Sequence, residues 1–294
     1  MPRQRRHRRA LWRGFALSGL LALPLAAAAD AQAPGPTLAS DALTGPRSRL
    51  QRDWQGARAL PADVPILVMA GHADSQGVAG PGTAGAAVDR QGAAPMQPGI
   101  RDELYWNLQV AQRVVSLGQQ RQLKISFYDP PLRSIANGND PRTNWSVGKA
   151  WAAAGGYALE IHFDAYGPDG VGSGVIPAVL RPFSRIDESL AVAFGGYPMW
   201  FRGGLGGPRR GITLLEIGKL EAPLEPALRD PATREQALNT IAERVVNALV
   251  QGLGRSPAVQ PAAPAQPTAS VSPPPGAAGS APPAPGRPAS SGGG

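Results

Sequence analysis

The sequence predicts an α/β fold: a single three-layer domain with a mostly parallel central sheet and helices on both faces. Short apolar runs alternate with segments of helical period, the order that builds strand–helix–strand units. Those runs are almost continuously apolar, as strands covered on both sides must be. No internal repeat of about 20 to 50 residues divides the chain into stacked units.

Val64 to Ala70 (VPILVMA) is the first candidate strand. Arg101 to Leu117 follows as a helix with Leu104, Leu108, Ala111 and Val115 on one stripe. Lys124 to Tyr128 (KISFY) is the next strand, and Asn144 to Ala154 the next helix. Tyr157 to Asp164 (YALEIHFD) and Ile212 to Ile217 (ITLLEI) are two more strands. A closing helix opens at Asp230-Pro231, a capping residue followed by a first-turn proline, and turns Leu238, Ile241, Val245 and Leu249 inward. The glycine-rich stretches Gly71 to Gly85 and Gly167 to Gly174 hold neither a dinucleotide fingerprint nor a Walker lysine, so they read as loops around a cleft. No G-x-S-x-G elbow marks a catalytic serine.

Residues 1–33 run from six arginines through the apolar stretch Gly14 to Ala29 into small residues, the order of a secretory signal peptide. The expectation is an exported protein of the periplasm or cell envelope, with no stable membrane span after cleavage. Arg8-Arg9 leaves the twin-arginine route open beside the general one. Six arginines and one aspartate of the formal +8 lie in this segment, which leaves +3. The basic pI near 10.5 therefore gives no reason to expect a nucleic-acid partner. Residues 34–60 read as a flexible linker, 61–254 as the folded domain, and 255–294 as a Pro/Ala/Ser/Gly-rich tail with too little apolar surface to offset its chain entropy. Whether a protein partner binds the tail is left open. The chain has no cysteine, so any zinc site must use histidine and carboxylate.

Ionisable residues inside otherwise apolar strands need a reason. Period-2 alternation places Glu160, His162 and Asp164 on one face of their strand and Leu159, Ile161 and Phe163 on the other. His72 stands where the first strand runs into a glycine-rich loop, the usual address of ligands in open α/β sheets. Glu103 opens the first helix and shares a face with Asn107. Glu216 interrupts ITLLEI, where an unpaired carboxylate would cost several kcal/mol, so it needs a cation, a hydrogen-bond network or a raised pKa. An ion pair with Arg142 or Arg210 is the structural alternative. Two histidines and one carboxylate leave a fourth tetrahedral position for water, the arrangement of catalytic Zn2+. A second carboxylate can take the proton from that water.

At these residues the chain resembles the zinc-dependent N-acetylmuramoyl-L-alanine amidases of the amidase 3 type. Four segments correspond in order. ILVMAGHADSQG is similar to the strand and first-histidine loop, and ELYWN to the E-x-x-x-N helix start. RTNWSVGKAWAAAGGYALEIHFDA is similar to the arginine, helix and second-histidine strand, and ITLLEIGKLEAP to the V-E-I-G-F-L-S-N segment. The resemblance covers most of residues 64–250. It implies that His72, Glu103 and His162 bind Zn2+, that Glu216 is the catalytic glutamate, and that the substrate is peptidoglycan, cut between N-acetylmuramic acid and L-alanine. Met69-Ala70 stands in place of the usual Asp-Pro, Ala73-Asp74 in place of a glycine pair, and Glu160 where a small residue is common. Glu160 and Asp164 thus remain open as additional members of the site. The competing readings are a non-catalytic wall-binding protein on the same fold, another zinc peptidase of the envelope, and an adaptor acting through its tail.

Overall fold

The structure, a computed structural model, describes residues 40–255. The expected signal peptide, residues 34–39 and the chain beyond residue 255 lie outside the described residues.

Two short strands, β1 (Ser40–Asp41) and β2 (Gly45–Pro46), pair antiparallel around a turn in which Asp41 Oδ1 accepts the amides of Leu43 and Thr44. The segment that follows is not a free linker, contrary to the sequence expectation. Ser48 N donates to the Ser173 carbonyl, and Arg52 makes a two-pronged ion pair with Glu188 at 2.8 and 3.0 Å. Trp54 is buried, donates its indole N–H to the Tyr197 carbonyl at 2.7 Å and tilts against Phe183. Composition misled the expectation because the stretch is held by contacts with residues far along the chain: Trp54 and Arg52, and backbone bonds from Ser48, Arg49, Ala57 and Arg58.

The domain then runs β3 (Ile66–Ala70), α1 (Ala86–Gln91), α2 (Asp102–Gln120), β4 (Ile125–Tyr128), α3 (Asn144–Ala153), β5 (Tyr157–Asp164), β6 (Gly174–Ile176), α4 (Arg185–Phe194), β7 (Ile212–Lys219), α5 (Leu224–Arg229) and α6 (Pro231–Gly252). The sheet order is β4-β3-β5-β7-β6, parallel except for the edge strand β6. The predicted α/β class and the predicted strands and helices are present. The sequence reading did not anticipate α1, β6, α4 and α5, which are short and carry few periods of apolar pattern. Of these, α4 has the clearest local signal, a capping box between Ser184 and Asp187.

The two faces of the sheet have different cores. Ile66, Val68, Leu159, Ile161, Phe163, Leu215 and Ile217 pack with residues of α2, α4, α5 and α6. Leu67, Met69, Ala158, Ile212 and Leu214 face the other way, against Val147 and Trp151 of α3. On α2 the buried arc is wider than one stripe: Trp106, Val110 and Val114 are buried along with Leu104, Ala111 and Val115, while Leu108 is half-buried. The helix has apolar neighbours on two sides, the sheet and α6.

From β3 the chain steps outward to β4, then crosses back to place β5 on the opposite side of β3. The connections thus diverge between β3 and β5, and a crevice opens at the carboxyl ends of such strands. Among the described residues, no helix is long and apolar enough to cross a membrane.

Candidate metal centre

The carboxyl ends of β3, β5 and β7 and the start of α2 meet at one end of the sheet. His72 lies two residues beyond β3 with φ 62, a left-handed conformation that a non-glycine residue adopts at a cost. His162 is the sixth residue of β5 and lies directly beside Glu216 of β7 in the parallel register. Glu103 sits in the first turn of α2, where the helix N-terminus favours a carboxylate.

These elements bring three of the sequence candidates together. Glu103 Oε1 lies 3.2 Å from His72 Nε2 and 3.2 Å from His162 Nδ1. The two imidazoles stand edge to face with centroids 4.9 Å apart. One ligand atom from each of His72, Glu103 and His162 lies within 4.8 Å of the other two. The group can therefore hold a metal ion. Glu103 Oε2 accepts the Thr83 amide at 2.8 Å, which ties the carboxylate to the glycine-rich loop.

Close backbone approach is part of this construction. A Cβ on Gly71 would lie 2.3 to 2.5 Å from three atoms of the His162 ring. At Gly82, with φ +89, a Cβ would lie 2.6 Å from Glu103 Oε2 and 3.0 Å from His72 Cδ2. Asn107, one helical turn beyond Glu103, donates to the Gly71 carbonyl at 3.0 Å and holds that strand end against α2.

Electrostatics follow the geometry. Burial pushes the Glu103 carboxyl up, but the adjacent His72 and His162 outweigh it and hold Glu103 well below the usual carboxylate range. Burial opposes charge on His162, yet Glu103 and Glu160 raise its pKa well above the ordinary value. For Glu216 the balance goes the other way. Its pKa is raised to about 8, chiefly by burial, with His162 opposing and Asp164 and Glu103 adding to the rise. Glu216 Oε2 is sheltered and has no hydrogen-bond partner. Neither suggested cation pairs with it: Arg142 binds Asp140, and Arg210 stacks on Trp145 and donates to the Gly206 carbonyl.

Asp164 points into the following loop, where its Oδ2 accepts the Val171 and Gly172 amides and its Oδ1 the Ala165 amide. It is not in the three-residue group. Glu160 lies beside the group, 3.6 Å from His162 Nε2. Sequence reasoning did not single out Asn144 or Arg202. Asn144, the first residue of α3, donates to the Ala70 carbonyl at 2.7 Å and to Glu160 Oε1 at 2.9 Å. Arg202 is exposed in an irregular loop with φ 44, where no periodic pattern could mark it.

Two clefts meet at this group. One, of about 370 Å3, is bordered by Gly82, Arg101, Tyr166, Arg202 and Glu216. The other, of about 410 Å3, is bordered by Val78, Trp145, Glu160, Leu205 and Leu214, and shares His72, His162, Arg202 and Glu216 with the first. Both clefts open onto His72, His162, Arg202 and Glu216.

No family model matches the sequence, and no curated protein matches it. In fold, the chain is similar to the catalytic domain of CwlV, an N-acetylmuramoyl-L-alanine amidase from Bacillus (Paenibacillus) polymyxa var. colistinus. That likeness has 17% identity and a TM-score of 0.45, and covers 65% of this chain and 98% of that one. It is also similar to the N-acetylmuramyl-L-alanine amidase Ami1 from Mycobacterium abscessus, with 17% identity, a TM-score of 0.42, and coverage of 65% and 99%. A third likeness, to the amidase AmiC2 of Nostoc punctiforme, has 14% identity, a TM-score of 0.39, and coverage of 68% and 100%. All three are likenesses of fold at low identity.

Proposed function

We propose that this chain is a zinc-dependent amidase that hydrolyses the bond between the lactyl carbonyl of N-acetylmuramic acid and the amine of L-alanine in peptidoglycan. The observation that carries the reading is the convergence of His72, Glu103 and His162 beside a sheltered, unpartnered Glu216. The four ordered segment resemblances, which include all four of these residues, supply the substrate.

The donor set fits zinc, since two imidazoles and a carboxylate are the ligands of many open catalytic sites. His72, Glu103 and His162 would hold the ion, and Zn2+ there would polarise the scissile carbonyl and favour the ionised form of Glu216. Glu216 takes a proton from the attacking water as its oxygen bonds to the lactyl carbonyl carbon. When the C–N bond breaks, the same carboxyl gives that proton to the departing L-alanine nitrogen. The products are the muramyl carboxylate and a free stem amine. Export to the periplasm or cell envelope, with residues 1–33 as a removable signal, belongs to the same proposal.

The test is metal content and cleavage measured on one preparation. Purified protein should carry about one zinc per chain, and the His72→Ala/His162→Ala double variant should carry none. Glu216→Gln should keep the zinc and lose at least about a hundredfold in release of L-alanine amines from purified peptidoglycan. Stoichiometric zinc in the double histidine variant, or wild-type release by Glu216→Gln, refutes the assignment. Cleavage within the stem, with no muramyl–alanine bond broken, would make the enzyme a peptidase instead.

A further inference from the structure

Glu160 is a carboxylate the proposed reaction does not use, yet it is one of the most sheltered acidic groups in the domain, its side chain 4% exposed. It leaves β5 on the same face as His162, two residues earlier. A carboxylate in this position costs several kcal/mol unless its oxygens are occupied. One is: Oε1 accepts from Asn144 Nδ2 at 2.9 Å. The same amide nitrogen donates to the Ala70 carbonyl at 2.7 Å, so the carboxylate is braced against the end of β3. The other oxygen faces the histidine, with Oε2 3.6 Å from His162 Nε2. That ring nitrogen is itself buried and has no hydrogen-bond partner. An orphaned ring nitrogen therefore faces a carboxylate oxygen across slightly more than a hydrogen-bond length, on the side of the imidazole opposite Glu103.

We propose that Glu160 is a positioning residue: it accepts the Nε2 proton of His162 and so commits Nδ1 to the side where Glu103 and His72 converge. A histidine ligand needs one nitrogen free of its proton and a ring held in one orientation, and a carboxylate on the far N–H supplies both. Asn144 extends the brace to the backbone of the strand that leads into His72. The inference rests on the proposed reading of His72, Glu103 and His162 as zinc ligands.

The experiment is a competition titration of the metal-free full-length chain with Zn2+ against a fluorescent chelator, on wild type, Glu160→Gln and Asn144→Ala. It is paired with 15N NMR of the histidine side chains in the zinc-loaded proteins. Glu160→Gln keeps the shape and the bond to Asn144 but offers a neutral acceptor. Its zinc affinity should fall about tenfold or more, the scale of losing such an outer carboxylate. Its His162 Nε2 resonance should shift, while melting of the metal-free protein changes little. Asn144→Ala should weaken zinc in the same direction and shift the same resonance, because the carboxylate loses its brace. An affinity within about twofold of wild type for Glu160→Gln overturns the proposal and leaves the amidase reading intact. So does weaker binding with an unmoved His162 resonance and a lower metal-free melting temperature, the mark of a purely structural group. If wild type itself takes up no zinc, both readings fall together.

Discussion

His162 and Glu216 sit side by side in the β5–β7 register, but their surroundings drive them to opposite charge behaviour. Glu103 and Glu160 flank the histidine and raise its pKa, so a positive charge is stabilised there. Glu216 meets burial and further carboxylates, and its pKa rises from an ordinary 4.5 to about 8. In the metal-free protein between those pH values, folded Glu216 holds a proton that the unfolded chain has released. The stability from this group is therefore present in full below about pH 4.5 and is lost as pH rises through about 8. Chelator-treated wild type should melt at progressively lower temperature across that window. Glu216→Gln, which cannot ionise, should flatten the fall by at least about 3 °C, and parallel curves for the two proteins would exclude this account. With zinc bound the wild-type slope should shrink, because the cation offsets the cost of the ionised carboxylate.

At the scale of elements, the site depends on how closely the end of β3 approaches β5. Gly71 N donates to the Ile161 carbonyl at 2.8 Å, and the Gly71 carbonyl accepts from Asn107. Its α-carbon then lies against the His162 ring, with no room for a methyl group. Gly71→Ala must push the imidazole away from Glu103. We expect about 1 to 3 kcal/mol of overpacking cost and a zinc affinity lowered by at least tenfold, read by chelator competition. Retention of wild-type affinity would show that the ring has slack the structure does not display. The helix α3 serves the same junction from the other face. Its cap Thr143 accepts the Ser146 amide, and Asn144 at its first position reaches Ala70 and Glu160.

For the whole molecule, the decisive surprise is that residues 40–60 belong to the folded body. Trp54 seals the end of the larger core between Phe183 and Tyr197. Trp54→Ala should cost about 3 kcal/mol or more, seen as a large drop in melting temperature. A variant starting at residue 61 should be destabilised further, since it also loses the Arg52–Glu188 pair. If that truncation melts with the full chain, the segment is an ornament. Removing residues 256–294 should leave melting nearly unchanged, because so little of that composition can be buried.

The sequence by itself determined the α/β class, because strand and helix periods are local and survive without tertiary context. It also determined that His162 and Glu160 share a face, which alternation along β5 dictates. It marked His72, Glu103 and Glu216 as residues needing a reason, through a strand end, a helix start and a carboxylate in an apolar run. What it could not supply was distance. That Glu103 stands 3.2 Å from both imidazoles depends on β5 crossing back to lie beside β3, a strand order with no local signal. Arg142 and Arg210 were equal candidates as partners for Glu216 in one dimension; Arg142 instead pairs with its near neighbour Asp140, and packing sends Arg210 to Trp145. Asn144, Thr83 and Trp54 act through contacts with residues far away in the chain, so nothing in their own neighbourhoods sets them apart. Tertiary structure decided these points because a buried polar group is stabilised by whatever partner the fold brings within about 3 Å, and sequence separation carries no information about that distance.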